Sequence, residues 1–176
     1  MPADRHRRGT FSDEYLLMPF WLMKSEPAEC SIDDAVAAPQ ATVPWVGVRN
    51  FQARNFMRDQ MKIGDGVLFY HSSCAVPGIA GVAEVASASY PDSTQFDPSS
   101  PYYDAASRPE KPRWYLVDVR ARYKVEVFTL AQMRETPELQ EMRVLKRGNR
   151  LSITPVGPPH WKLLLGRMKR IKTAKA

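Results

Sequence analysis

At 176 residues, 44% of them hydrophobic, the chain has the length of one domain and enough apolar residues for a core, with no apolar run long enough to span a membrane. Its two cysteines, Cys30 and Cys74, lie far apart without a C-x-x-C spacing, which leaves no zinc motif and no disulfide framework and points to reduced thiols, as in a bacterial cytoplasm or a nucleus. The net charge of +6 invites a polyanionic partner, but Lys162, Arg167, Lys169, Arg170, Lys172 and Lys175, with no acid among them, account for all of it, so only local basic clusters carry meaning elsewhere.

Residues 1–17 are of mixed charge without clear periodicity, and read either as a disordered leader or as sequence upstream of a start at Met18. Phe20 to Met23 follows as a strand, broken at Lys24-Ser25-Glu26-Pro27 because a residue before proline is pushed out of helical space. Ser31 with Asp34 three positions on makes a capping box, with Asp in place of Glu or Gln, and predicts a short helix to Ala37. Pro39 to Pro44 is expected to be loop.

Trp45 opens the most informative stretch. Asn50 is a good N-cap for a helix from Phe51 to about Gln60, Gly64-Asp65-Gly66 turns the chain, and Val67 to His71 is β-branched and aromatic enough for a buried strand. A core strand seldom ends in tyrosine, histidine and serine. The unit therefore gathers an indole, the Arg49-Asn50 pair and a Tyr70-His71-Ser72 strand end, which is the chemistry of a recognition pocket. Regular alternation sends Tyr70 and His71 to opposite faces, so one of the two is expected to face it.

Gly78 to Ala88 reads as a strand antiparallel to Val67–His71, with a bend or bulge near Gly78 and Gly81. Tyr90 to Pro112, rich in Pro, Ser and Asp, is a loop long enough to hint at function. Arg113 to Val127 alternates as the longest strand, with Trp114, Leu116, Asp118 and Arg120 on one face and Tyr115, Val117, Val119 and Ala121 on the other. Thr129 caps a helix to Arg134, Pro137 starts another, and Leu151 to Val156 is the last strand. Pro158-Pro159 opens a final helix with Trp161, Leu164, Leu165 and Met168 at helical spacing. Residues 169–176 are expected to be a basic tail. The sum is an α+β fold, a curled sheet or pseudo-barrel of mostly antiparallel strands with short peripheral helices.

Six motifs in order carry a resemblance: Trp21-Leu-Met-Lys24-Ser25-Glu26-Pro27, Ser31-Ile-Asp-Asp34, Trp45-x-Gly47-Val48-Arg49-Asn50-Phe51-Gln-Ala53-Arg-Asn-Phe56, Phe69-Tyr70-His71-Ser72, Tyr90-Pro91-Asp92 and Leu151-Ser152-Ile153. Together they resemble the EVE domain family of PUA-like pseudo-barrels, over Phe20 to Trp161, within a single domain at residues 18–168. The resemblance implies a non-catalytic module without cofactor or metal whose pocket binds nucleic acid, a chemically modified base above all. 5-Methylcytosine or 5-hydroxymethylcytosine in DNA comes first, modified RNA such as tRNA second. Phe51 stands where tyrosine is expected, which keeps the ring and removes a hydroxyl.

Physical reasoning assigns the parts. A base in a duplex reaches a closed pocket only when flipped out, and stacking then offsets the unstacking. Trp45 and Tyr70 supply that stack at about 1–3 kcal/mol per base. Asn50 and Ser72 suit a base edge, Lys24 and Arg49 suit flanking phosphates, and Arg54 and Arg147 are further phosphate candidates. Ser25 offers a hydroxyl or its backbone, and Val48 and His71 complete the set. Structural readings stand beside these: Trp45 plugs the barrel end, Asn50 is a cap in any case, and Arg49 pairs with Glu26 or with an acid of the long loop. A hydrolase built on His71, Ser72, Ser73, Asp65 and Cys74 is the competing class, but no G-x-S-x-G elbow, Cys-His signature or H-E-x-x-H spacing accompanies them, and His6, His71 and His160 are scattered. A protein-interaction module using the C-terminal helix is the third.

Overall fold

The computed structural model describes residues 19–172, so the leader at 1–17 and the alternative start at Met18 lie outside the described residues. Alternation along two strands decides the architecture. In β1 (Phe20–Ser25), Trp21 and Met23 enter one buried cluster and Leu22 a second. β2 is Thr42–Pro44. In β3 (Gly66–His71), Val67 and Phe69 join the first cluster while Leu68 and Tyr70 join the second. The sheet is therefore covered on both faces. With β4 (Gly78–Val85), the two-residue β5 (Tyr90–Pro91) and β6 (Tyr115–Leu116), β7 (Asp118–Thr129) and β8 (Ile153–Pro155), the main sheet runs β2-β7-β4-β3-β1-β8, and β5 pairs with β6 apart from it. β1 and β3 pair parallel and the other pairings are antiparallel.

The bulge expected between Gly78 and Gly81 is present: Phe69 faces Gly81 and Tyr70 faces Ile79, so Ala80 is the unmatched residue. Further register shifts between β4 and β7 add to the bend, and the sheet curls into a half-barrel. Short helices sit around it. α1 (Ile32–Ala37) begins with the Ser31–Asp34 capping box, and α3 (Leu130–Glu135) has a second box from Thr129 and Gln132. α4 (Pro158–Arg167) docks through Trp161, whose ring stacks on Phe20 at 4.4 Å and lies where a Cβ on Gly66 would come within 2.6 Å, so only glycine fits there.

Three expectations are corrected. The helix predicted for Phe51 to Gln60 is α-helical only over α2 (Phe51–Asn55); Phe56–Gln60 winds as a π-turn closed by Met61 N–H to the Phe56 carbonyl at 2.9 Å. Pro39 to Pro44 is not all loop, because β7 is long enough to offer Thr42–Pro44 an edge at Arg120 to Asp118. The long strand breaks at Val117, and Trp114 and Leu116 are buried as fully as Val117 and Val119. The first residues of the expected basic tail lie along β7: Glu126 N–H bonds the Lys169 carbonyl, Val125 bridges to Arg170, and Ile171 N–H bonds the Lys124 carbonyl. Among the described residues, no helix is long and apolar enough to cross a membrane.

Candidate functional site

A cavity of about 710 Å³ opens where the C-terminal ends of β1 and β3 meet the segment that joins β2 to α2. That size suits a nucleobase with its sugar. The elements explain its composition. The parallel pairing of β1 with β3 brings Ser25 level with His71, and Ser72 N–H bonds the Ser25 carbonyl at 3.0 Å, so Lys24, Ser25, Glu26 and Ser72 share one rim. Trp45 N–H bonds the Val117 carbonyl at 3.0 Å, and the chain from Trp45 to Asn50 forms the facing wall.

That wall is held by the long loop, and the decisive contacts lie at Gly47 and Arg49. Gly47 has φ +85°, and a Cβ there would come within 2.5 Å of the Tyr102 ring, so the tyrosine closes directly over bare backbone. Asp92, fully buried, accepts from Gly47 N–H at 2.9 Å, from Arg49 Nη1 at 3.0 Å, and from Thr94 through both its N–H and its hydroxyl. Burial by itself would raise this carboxyl; the donors from Gly47, Thr94 and Arg49 together hold it below its ordinary 3.8. Arg49 also donates to the Val48 and Tyr102 carbonyls and to Thr94 Oγ1, so all five guanidinium N–H groups are engaged. Tyr102 in turn donates to Glu29 Oε2 at 2.5 Å, and burial followed by that bond pushes its pKa up to about 12.

Other polar groups on the cavity are open. Trp45 is 7% exposed and packs edge-to-face on Phe69 at 5.2 Å, so most of its ring is core. Every fully buried side-chain N or O atom among the described residues has a hydrogen-bond partner, and Trp45 Nε1 has none, so its N–H is not fully buried, on a side chain that lines the cavity. Asn50 accepts from Ala53 N–H at 3.0 Å as the α2 cap, which leaves its amide NH₂ without a partner among the described residues. Lys24 and Arg150 form no ion pair there; the Lys24 ammonium stands 6.0 Å from the centroid of its register partner Tyr70, and burial holds it below its ordinary 10.5. Glu26 is likewise without a side-chain partner, an open carboxylate on the same rim. Ser25 donates its hydroxyl to the Cys30 carbonyl at 2.6 Å and offers a ligand only lone pairs. Val43, Pro44 and Val48 supply apolar lining.

Of the residues singled out from sequence, Lys24, Ser25, Trp45, Val48, Arg49, Asn50 and Ser72 thus line one cavity, and three assignments change. Tyr70 is 3% exposed and belongs to the buried cluster on the other face of the sheet, so it is not a stacking wall. His71 faces the Trp45 side but is turned to α1, where Nε2 accepts from Ile32 N–H at 3.0 Å; burial first, then Lys124, lowers its pKa below 6.5 against the opposing pull of Asp33. Arg49 has no N–H left for a phosphate. Arg54 and Arg147, read as phosphate candidates beside the pocket and not as part of it, lie outside the cavity: Arg54 donates to the Arg113 carbonyl and Asn55, while Arg147 is exposed three residues from Arg150. Sequence reasoning missed Tyr102 and Arg150 as site residues and reached Glu26 only as part of the turn with Lys24 and Ser25. Glu26 sits within a quoted motif, but nothing local marks Tyr102, which reaches the site only through the fold. Among the described residues no group of His, Cys, Asp and Glu could hold a metal ion.

The EVE domain profile matches residues 19–167. The chain belongs to the EVE domain family. Thymocyte nuclear protein 1 from Gallus gallus is 42% identical over 154 residues, which is 77% of this chain and 63% of that protein. The Homo sapiens protein of that name is 40% identical over 157 residues, 80% of this chain and 69% of its own. Among solved structures, that of human THYN1 protein in complex with 5-methylcytosine-containing DNA is similar with TM-score 0.78 and 39% identity, over 84% of this chain and 95% of that one. A Pseudomonas putida protein matches with TM-score 0.79 and 43% identity over 84% of this chain and 97% of its own. This EVE domain therefore shares its half-barrel with relatives from bacteria and vertebrates, although the chain spans less than two thirds of the chicken protein's length.

Proposed function

We propose that this EVE domain is a non-catalytic reader of modified cytosine in DNA, with the base flipped into the cavity between the Lys24–Glu26 turn and the Trp45–Asn50 wall. The observation that carries the reading is the 39% identical human THYN1 structure with 5-methylcytosine-containing DNA. The open groups of the cavity supply a chemical rationale. Cytosine presents an amino donor at N4 and acceptors at N3 and O2. Glu26 is an acceptor for the amino group, and the Asn50 amide and Trp45 N–H are donors for the ring edge. Val43, Pro44 and Val48 offer the apolar surface a 5-methyl group prefers over water. Lys24 and Arg150, free of acid partners, suit the flanking phosphates.

The absence of catalysis belongs to the same proposal. His71 would be the base of any hydrolytic site, but its Nε2 lone pair is occupied by Ile32 N–H and no bond joins it to Ser72. Cys30, the thiol on the cavity, is pushed up in pKa by burial and by Asp34, which keeps it from being a nucleophilic thiolate. A location with genomic DNA, in a bacterial cytoplasm or a eukaryotic nucleus, follows from this reading. The test is a fluorescence-anisotropy panel of one sequence carrying cytosine, 5-methylcytosine or 5-hydroxymethylcytosine in duplex DNA, with the matching RNA. Tighter binding of a modified duplex is expected. Equal affinity for all the DNA duplexes would overturn it, and preference for modified RNA would move the ligand class.

A further inference from the structure

Beside the cavity lies an aromatic surface that the base-flipping site does not use. Phe51 follows Asn50 directly and is 47% exposed, although its ring is parallel to that of buried Trp114, 4.7 Å between centroids and 16° between planes. Trp114 is fixed from behind: its Nε1 donates to Asp104 at 2.7 Å, and the same carboxylate pairs with Arg113 at 3.3 Å. Two guanidiniums attend the stack. Arg54 lies 4.7 Å from the Phe51 centroid and 5.9 Å from that of Trp114; Arg113 lies 5.4 Å and 6.0 Å from the same two. A cation over the outer face of Phe51 would be about twice as far from Trp114 as Phe51 is. Both are closer than that, so neither stands on the axis of the outer face of the phenyl ring, and the residue keeps 47% of its surface exposed.

An isolated exposed phenylalanine means little. A rigid one, backed by tryptophan, flanked by two arginines and one residue from the cavity wall, is a different object. We propose that the outer face of Phe51 is a second stacking site, which takes an unstacked nucleobase next to, or opposite, the one in the cavity, with Arg54 and Arg113 beside its phosphate. The proposal rests on the nucleic-acid reading but not on which base the cavity prefers. A flat π-face accepts any base, so this site adds affinity without choosing sequence. The flanking guanidinium of Arg54, which pairs with no carboxylate among the described residues, fits a nucleotide rather than an apolar peptide, and the fixed backing means that little ordering is needed on binding.

The test is a cycle between protein and ligand, with the full chain and a duplex carrying one central 5-methylcytosine. Phe51→Ala, at an exposed position, is expected to weaken the duplex about 5- to 150-fold, and Phe51→Tyr to restore it. In parallel, the base on either side of the methylcytosine, or the guanine opposite it, is replaced by an abasic nucleotide. One of these three changes should weaken the parent protein by a similar factor and add nothing in Phe51→Ala, since the two remove the same contact. Affinity of Phe51→Ala within twofold of the parent, as a protein-docking surface would give, overturns the site alone. So does full additivity for all three abasic duplexes. A parent protein that binds no oligonucleotide sinks the nucleic-acid reading along with it.

Discussion

Asp92→Asn isolates the brace that shapes the cavity. The carboxylate accepts at both oxygens: Gly47 N–H and Arg49 Nη1 meet Oδ2, Thr94 N–H and Oγ1 meet Oδ1, and the side chain is fully buried. An asparagine has the same shape but one acceptor, so in either orientation its NH₂ points at a backbone N–H. One buried donor then loses its partner, at about 1–3 kcal/mol, and Arg49 loses either its bond or the charge of its acceptor, at up to about 1.5–3 kcal/mol undamped. Arg49 retains 21% side-chain exposure, which lets water replace part of the second loss. A net cost of about 2–4 kcal/mol is expected. For a domain of this size that is a fall in Tm of roughly 5–15 °C. Calorimetry or a urea melt of Asp92→Asn beside Asp97→Asn, on the exposed part of the same loop, measures it. Because the brace holds Tyr102 over Gly47, affinity for a methylated duplex should fall as well, at a temperature where the variant is still folded. An Asp92→Asn protein that melts within 1 °C of the parent would refute the reasoning.

Other consequences are sharp enough to measure. His71 has a folded pKa below its unfolded 6.5, so the folded protein binds fewer protons between the two values; stability is full above 6.5 and declines as pH falls from there, with Asp33 and Lys124 the charged neighbours. Melts from pH 7.5 to 5 should show that slope, and His71→Gln, which keeps an acceptor for Ile32 N–H without a titrating ring, should flatten it; an unchanged slope would remove His71 from the account. Trp45→Phe deletes the cavity N–H while keeping a ring against Phe69, and should weaken a modified duplex by about 2- to 10-fold. Tyr70→Phe, on the opposite face, should leave binding alone; the reverse order of effects would contradict the placement of the cavity. Finally, Lys24→Gln and Arg150→Gln should each lower the slope of log affinity against log salt by about one unit if each meets a phosphate. Arg49→Lys should instead appear as lost thermal stability, and a clean salt effect from it would mean that its brace opens on binding.

Much of this protein was legible in single stretches of sequence, because the physics that shapes them acts over a few residues. The Ser31–Asp34 and Thr129–Gln132 boxes and the Asn50 cap are contacts across three positions, and the alternation in Phe20–Ser25 and Gly66–His71 needs only a strand with two covered faces. The motif order pointed to the family. Which face carries the cavity was another matter: Tyr70 and Phe69 are adjacent and both aromatic, and only the position of Trp45 against Phe69 puts the cavity on one side and Tyr70 on the other. Occupancy of donors was legible only as a choice. Arg49 reads either as a phosphate clamp or as the partner of an acid in the long loop, and the fold decides for the second by bonding its guanidinium to Asp92, 43 residues on, and to the Tyr102 carbonyl, 53 residues on. A side chain's chemical type is written in the sequence, but whether its hydrogen bonds are already taken depends on which distant segments the fold brings against it, and that separates a residue that holds the site from one that is open to a ligand.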